Sequence, residues 1–281
     1  MLKTTVTFAQ PISVTQPEDV LSHVLNTMRI SGSLLLKEKY QTPWGVTVPD
    51  SGALNTLLRT AKDIRIAAFH LVEQGGIYIK LDNDEEVWVE AGEMVVCFSG
   101  KGHILYQGSC QKTASFQEIM SGSENIFEPK SELTPCTSLI CGVFMLQDTA
   151  LNPLLTTLPS ALKISVTNPT EFPRLYGVVN LLVQEFQHQS IGNSYVIQRY
   201  LEILCVEAIR AHLENLPKDS TGWLSALKDP LIGQTIEAIH THPGHYWSVK
   251  HLAESVAMSP SRFAARFAET LGEPPMAYVT R

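Results

Sequence analysis

The chain has 281 residues, of which 44% are hydrophobic and 17% are charged, a composition typical of a globular protein and not of a disordered one. It carries 21 Lys and Arg against 28 Asp and Glu, and the formal net charge of −7 gives no overall attraction for nucleic acid. Any DNA-binding function must therefore depend on a local element. The longest apolar run, Leu139 to Leu146, is much shorter than the about 20 residues that span a membrane, so we expect no membrane partner.

The cysteines and the N-terminus predict a cytoplasmic protein. Residues 1–5 are not a charged region followed by an apolar core, so no secretory signal is expected. The five cysteines are an odd number and contain no C-x-x-C pair. This usage suits a reducing compartment and argues against a disulfide scaffold.

The first 150 residues predict a β-rich domain. A capping box at Thr15 and Glu18 opens a short helix that carries Val20, Val24 and Met28 on one face. Closely spaced strands with turn residues between them follow, and the absence of intervening helices indicates a barrel or sandwich. The predicted strands are Ser33–Tyr40, Gly45–Val48, Ile64–Val72, Gly76–Leu81, Glu85–Val89, Gly92–Phe98, His103–Tyr106 and Thr137–Leu146. The polar stretch 107–135 is predicted to be a long loop.

From Asn152 onward the apolar period becomes helical, and a second domain is predicted over residues 151–222. Its long helices are expected at Phe172–Gln189 and Ser194–Asn215. In the second helix a wide apolar stripe suggests a partner helix, and we expect a homodimer through it. The residues assigned to this dimer contact are Ile197, Leu201, Leu204 and Ala208.

Residues 223–281 predict a third domain built on a helix-turn-helix. Asp229, Ser248 and Ser259 each fit the N-cap of a helix, and the last two begin short helices separated by a tight turn. In a helix-turn-helix the exposed N-terminal half of the second helix enters the major groove. The residues predicted to face DNA are Ser259, Ser261, Arg262, Ala264, Ala265 and Arg266.

The residues of this segment carry a family resemblance. The run from Trp247-Ser-Val249 through Leu252-Ala253 and Ser259-Pro-Ser261-Arg-Phe263 to Phe267, followed by Gly272-Glu-Pro-Pro275-Met-Ala-Tyr278, closely resembles the AraC family of bacterial transcription regulators. The resemblance implies two helix-turn-helices joined by a linker helix, of which the present sequence contains the first. Since the segment from Asp229 has no excess of positive charge, we expect this half-module alone to bind DNA weakly.

The first domain is similar to the cupin-type sensor domain that precedes AraC-type helices. The similarity rests on Pro43-Trp44-Gly45, Ala68-Phe69-His70-Leu71-Val72, Ala91-Gly92-Glu93 through Phe98, and Gly100-Lys101-Gly102-His103. It implies an α+β fold class: a cupin-like β-barrel or jelly roll with an internal pocket for a small-molecule effector, then an all-α linker and dimerisation segment, then the helix-turn-helix.

His70 and His103 are candidates for holding the effector or a metal. Metal-binding cupins supply two His and a Glu from one motif and a third His from another, whereas this chain offers His70, Glu73 and His103. Glu73 would face away from His70 on a straight strand. The pair could hold a metal with a Cys as third ligand. If the domain binds an effector, the site is expected inside the strands Ile64–Leu81 and Gly92–Tyr106, with both histidines near its mouth. Alternatively both are hydrogen-bonded histidines of the core or rim.

The cysteines offer a second sensing chemistry. Exposed thiolates near cationic groups oxidise readily, which makes Cys110, Cys136 and Cys141 candidates for redox sensing. The alternative is that Cys97, Cys141 and Cys205 are small buried hydrophobic residues, since each lies in an apolar run. The acidic cluster from Asp82 to Glu86 is interpreted as a solvated hairpin turn.

Three functions remain open at this point. The first is a ligand- or redox-responsive, non-enzymatic transcription regulator whose partners are DNA and a small effector. The second is a metal-dependent small-molecule cupin enzyme using His70 and His103. The third is a partner-binding chain that dimerises with a full-length regulator but does not itself bind DNA. An enzyme needs stoichiometric metal with an open coordination position, whereas a regulator does not.

Overall fold

The computed structural model describes residues 19–109, 113–121, 125, 127–131, 134–147, 152–188, 190–217, 219–242 and 244–280. Its strands are β1 (Arg29–Gln41), β2 (Trp44–Val48), β3 (Arg65–Gln74), β4 (Gly76–Lys80), β5 (Glu86–Glu90), β6 (Glu93–Cys97), β7 (His103–Gln107), β8 (Ala114–Ser115), β9 (Cys136–Gln147) and β10 (Leu162–Ser165). All eight strands predicted from the sequence are present, because each alternates buried and exposed residues or is bounded by turn residues.

The helices are fewer in the first half of the chain than in the second. They are α1 (Val20–Asn26), α2 (Ser51–Leu58), α3 (Phe116–Met120), α4 (Pro153–Thr157), α5 (Pro173–His188), α6 (Asn193–Asn215), α7 (Trp223–Ala226), α8 (Pro230–Thr241), α9 (Val249–Ser255), α10 (Pro260–Leu271) and α11 (Pro275–Val279). The predicted α+β class is therefore confirmed. No helix among the described residues has the length and apolar character needed to cross a bilayer.

The strands form a jelly roll of two five-stranded sheets. The first sheet has the order β1-β9-β3-β6-β10 and the second β5-β4-β7-β2-β8. All pairs are antiparallel except β2 with β8. Omitting the short strands β8 and β10 leaves two interleaved four-stranded sheets, the two-Greek-key arrangement of a jelly roll. Of the two expected forms, barrel or jelly roll, the described strands adopt the second and do not close into one barrel.

Two buried clusters stabilise this arrangement. One lies between the sheets and contains Trp44, Tyr40 and Ile79. The other lies on the outer face of the first sheet and continues through α1, α5 and α6 into the C-terminal helices, from Phe69 to Ile236 and Phe263. Apolar side chains therefore fill the space between the sheets where the sequence predicted an effector pocket.

Four elements, α2, β8, α3 and β10, are not predicted by the sequence pattern. Helix α2 begins at the N-cap Asp50, whose carboxylate accepts from the Ala53 N–H, but it is only eight residues long. Within the stretch predicted to be a loop, β8 and α3 form, and the ring of Phe116 enters the cluster between the sheets. Strand β10 pairs with β6 although it lies in the segment expected to be all-helical.

Helix α6 shows that the predicted dimer contact was placed on the wrong face. Side chains Ile197, Leu201, Leu204 and Ala208 are 9%, 0%, 1% and 0% exposed, because α6 packs against β1, β9, β10 and α5 of its own chain. The Cβ position of Gly32 in β1 lies 2.6 Å from Leu201 Cβ, so only a glycine lets the helix approach this closely. The apolar stripe is wide because it packs against several elements of the same chain.

Candidate functional site

The two candidate histidines meet inside the jelly roll. His70 lies on β3 of the first sheet and His103 on β7 of the second, and their Nε2 atoms are 2.8 Å apart. The side chains are only 2% and 4% exposed, so they do not lie at the mouth of a pocket as the sequence analysis expected. The contact therefore links the inner faces of the two sheets.

Cys141 and a backbone carbonyl extend this pair into a chain of hydrogen bonds. His70 is the register partner of Cys141 on β9, and its Nδ1 lies 3.1 Å from Cys141 Sγ. His103 Nδ1 lies 3.5 Å from the carbonyl oxygen of Lys101, which can only accept. The Nδ1–H of His103 therefore donates to this oxygen, His70 Nε2–H donates to His103 Nε2, and the Cys141 thiol donates to His70 Nδ1. Every donor then has an acceptor while both rings are neutral.

Burial keeps the members of this relay, Cys141–His70–His103, uncharged. Desolvation lowers the pKa of His70 well below its usual 6.5, and the neighbouring His103 lowers it further. Desolvation lowers the pKa of His103 to about 4, against a smaller opposite effect of the Lys101 carbonyl. Burial, followed by the charge of Glu38, raises the pKa of the Cys141 thiol to about 12. The relay is therefore a neutral connection between the sheets.

The residues around the relay do not fit the metal site of metal-binding cupins. Glu73, the expected carboxylate ligand, turns away from His70, with its oxygens 2.7 Å from Lys37 Nζ and 2.9 Å from Ser138 Oγ. Cys97 Sγ is 4.0 Å from His103 Nε2. Within the described ranges, no group of three or more His, Cys, Asp or Glu side chains is arranged to hold a metal ion. The facing Nε2 atoms instead share a proton.

The cysteines predicted to sense oxidants have unlike surroundings. Cys141 is buried with a raised pKa, which is the reverse of what a reactive thiol needs. Cys136 is half-buried and borders a polar groove of about 600 Å³ that Lys39 also lines. The two lie five residues apart on β9 and so face opposite sides of the strand. Cys110 lies outside the described residues.

Helices α9 and α10 form the predicted helix-turn-helix. Ser248 caps α9 by accepting from the His251 N–H at 3.2 Å, and Ala257 supplies a positive φ of 53° in the turn. Phe263 and Phe267 of α10 are fully buried. On the other face Ser259, Ser261, Arg262 and Ala265 are exposed and Ala264 is half-buried. Ser259 stands at the N-cap of α10 without a capping hydrogen bond from its side chain.

Arg266 is held by a partner that the sequence analysis did not find. Its Nε donates to Asp229 Oδ2 at 2.7 Å, while Asp229 Oδ1 accepts from the Leu231 and Ile232 N–H groups as the N-cap of α8. The caps were visible in the sequence, but the contact across 37 residues was not. Of the two arginines predicted to face DNA, Arg266 therefore connects α10 to α8, whereas Arg262 projects from the surface.

Comparisons with known proteins agree with the two resemblances. A family model described as Cupin matches residues 19–214. A putative AraC-like transcription regulator of Streptomyces antibioticus is 26% identical over 218 residues, which cover 77% of this chain and 71% of that protein. Another of Streptomyces lividans is 32% identical over 51% of this chain and 47% of that protein. The HTH-type transcriptional regulator AlkR of Acinetobacter baylyi is 28% identical over 93% of this chain and 82% of its own length.

Proposed function

The chain belongs to the cupin family, and from that premise we propose that it is a transcription regulator of AraC type whose jelly roll controls a DNA-binding helix-turn-helix. The observation that carries the proposal is α10, which buries Phe263 and Phe267 and leaves Ser261, Arg262 and Ala265 exposed. This is the arrangement that lets a recognition helix enter the major groove. The regulator names of relatives matched over most of their length support the same function.

DNA binding is tested with duplexes that the 281-residue chain itself selects from a random library. We expect weak, salt-sensitive binding, in which Arg262→Ala lowers affinity for the selected duplex about tenfold, since a good base contact contributes about 1–3 kcal/mol. Arg262→Lys keeps the charge but loses bidentate geometry and should recover only part of the affinity. Lys62→Ala removes a charge from a distant surface and serves as control. Failure to enrich any sequence would contradict the proposal.

The signal that the jelly roll receives is a small effector or an oxidant. Among the described cysteines Cys136 is the one left as a redox candidate, supported by its partial exposure and by Lys39 at the same groove. The four described cysteines are free thiols, which supports the cytoplasmic placement. The enzyme hypothesis is less well supported, because the two imidazoles satisfy each other by hydrogen bonding and lack a third ligand in the described residues.

We place the homodimer contact on the outer face of the α5–α6 hairpin. Large apolar side chains that remain exposed on a folded chain mark interaction surfaces. Five of the eight such side chains in the described residues lie on this hairpin or its loop, namely Tyr176, Leu181, Ile191, Tyr195 and Ile203. A dimer formed without DNA binding would instead favour the third hypothesis, a partner-binding chain.

A further inference from the structure

A row of three aromatic side chains crosses the outer face of the second sheet. Trp88 on β5 is the register partner of Tyr78 on β4, which is in turn the partner of Tyr106 on β7. Their ring centroids are 4.7 and 5.4 Å apart. Helices cover the first sheet, whereas no described helix packs extensively on β4, β5 or β7. Trp88 and Tyr78 are each 40% exposed.

The row is built into a fixed position. The Trp88 ring lies so close to Gly76 that a Cβ there would be 2.3 Å from Trp88 Cζ2, so the absence of a side chain at Gly76 makes room for the indole. Tyr106 donates its hydroxyl proton to Glu86 at 2.7 Å. A surface held this way loses little conformational entropy on binding a partner, which favours recognition.

Negative charge surrounds the aromatic row. The β4–β5 hairpin and its strands carry five carboxylates, namely Asp82, Asp84, Glu85, Glu86 and Glu90. Two of these carboxylates are compensated by ion pairs, Asp84 with Lys80 at 2.9 Å and Asp82 with Lys101 at 2.8 Å, so within the described residues the patch keeps a negative balance. This charge repels nucleic acid and anionic membranes and attracts cations.

We propose that the aromatic row, Trp88, Tyr78 and Tyr106, is a docking surface for an arginine-containing peptide segment of another protein. A guanidinium plane stacks on aromatic rings and at the same time donates hydrogen bonds to carboxylates such as Glu86 and Glu90. Lysine offers the charge without the planar group. The surface is on the opposite sheet from the α5–α6 hairpin, and its use does not require DNA binding.

The proposal is tested with fluorescein-labelled peptides of Arg-Gly, Lys-Gly and Glu-Gly repeats, whose anisotropy is followed on the full chain at low and high salt. We expect the Arg-Gly peptide to bind several-fold more tightly than the Lys-Gly peptide, the Glu-Gly peptide not to bind, and salt to weaken binding. Trp88→Thr should weaken the Arg-Gly complex about tenfold. The Glu86→Gln, Glu90→Gln double variant keeps the shape of the surface and should weaken it too. Tyr246→Ala removes an exposed aromatic elsewhere and is the control.

Three outcomes would overturn the proposal. The first is no binding of the Arg-Gly peptide. The second is equal binding of the Arg-Gly and Lys-Gly peptides that persists in Trp88→Thr and in the carboxylate variant, which would reflect net charge alone. The third is a neutral oligosaccharide, such as cellohexaose, shifting the Trp88 indole NMR signal while the Arg-Gly peptide does not. If Trp88→Thr fails to fold, the carboxylate variant still decides between these results.

Discussion

Lowering the pH from 7 to 5 should destabilise the fold through its buried imidazoles. Burial holds the pKa of His103 at about 4, whereas an imidazole in the unfolded chain titrates near 6.5. Between these values the unfolded state binds more protons than the folded state. The stability that depends on neutral His103 is thus complete above pH 6.5 and is lost as the pH falls toward 4. The pKa of His70, lowered by burial and by His103, adds to the loss in the same direction.

Proton linkage sets the size of this effect. For His103 alone, the pKa of about 4 corresponds to a loss of about 2 kcal/mol in the free energy of unfolding at pH 5 and about 3 kcal/mol at pH 4. Urea unfolding followed by circular dichroism at pH 7, 6 and 5 measures it. Ordinary Asp and Glu side chains titrate mostly below this range and contribute little.

A variant isolates the contribution of the relay from other titrating groups. His103→Gln keeps a polar side chain but removes the ionisable ring, so its loss of stability from pH 7 to 5 should be about 2 kcal/mol smaller than that of the unmutated chain. His245→Gln makes the same substitution at an exposed position and serves as the control. The same pH dependence in His103→Gln and the unmutated chain would refute the neutral relay.

Three further predictions each compare one residue with a control residue in different surroundings. Gly142→Ala places a methyl group 2.6 Å from the Ser33 carbonyl oxygen and should lower the free energy of unfolding by about 1–3 kcal/mol. Gly177→Ala, whose methyl group meets nothing within 4 Å beyond its chain neighbours and the backbone of its own helix, should raise it by about 0.5–1 kcal/mol. Denaturant titration that finds both changes neutral would contradict this packing. On α6, Ile203→Glu (46% exposed side chain) should shift sedimentation from dimer to monomer in a folded chain, whereas Leu204→Glu (1% exposed) should unfold it. Peptide mapping after brief maleimide treatment should find Cys136 labelled before the buried thiols, and slow labelling would exclude it as a sensor.

The sequence predicts the strands well because alternation and turn residues are local signals. The dimer stripe on α6 was misassigned because a helical period shows which residues are buried but not whether the covering surface belongs to the same chain. The sequence singles out His70 and His103 as one candidate site but not Cys141 as their partner, since His70 and Cys141 meet only through the β3–β9 register, across 71 positions. Arg266 was assigned to DNA for a similar reason, because its carboxylate partner lies on another helix.

The continuous core predicts that jelly roll and helix-turn-helix unfold together. Val20 and Val24 of α1 belong to the same buried cluster as Phe69 of the first sheet and Ile236 of α8, so neither part keeps its apolar contacts if the other unfolds. Val24→Ala removes the equivalent of two buried methylene groups, a loss of about 1.5 kcal/mol. Hydrogen exchange of peptides from β3 and α8, followed by mass spectrometry, should report that same loss in both.

A different result would separate the two parts. If Val24→Ala lowered protection in α8 and left β3 unchanged, the C-terminal helices would open independently of the jelly roll, and the predicted boundary near residue 222 would mark an autonomous unit. Equal losses in both places mean that a change in packing at the first sheet directly alters the free energy of unfolding of the helix-turn-helix. Such shared packing is what a sensor needs to control a DNA-binding element without any moving linker.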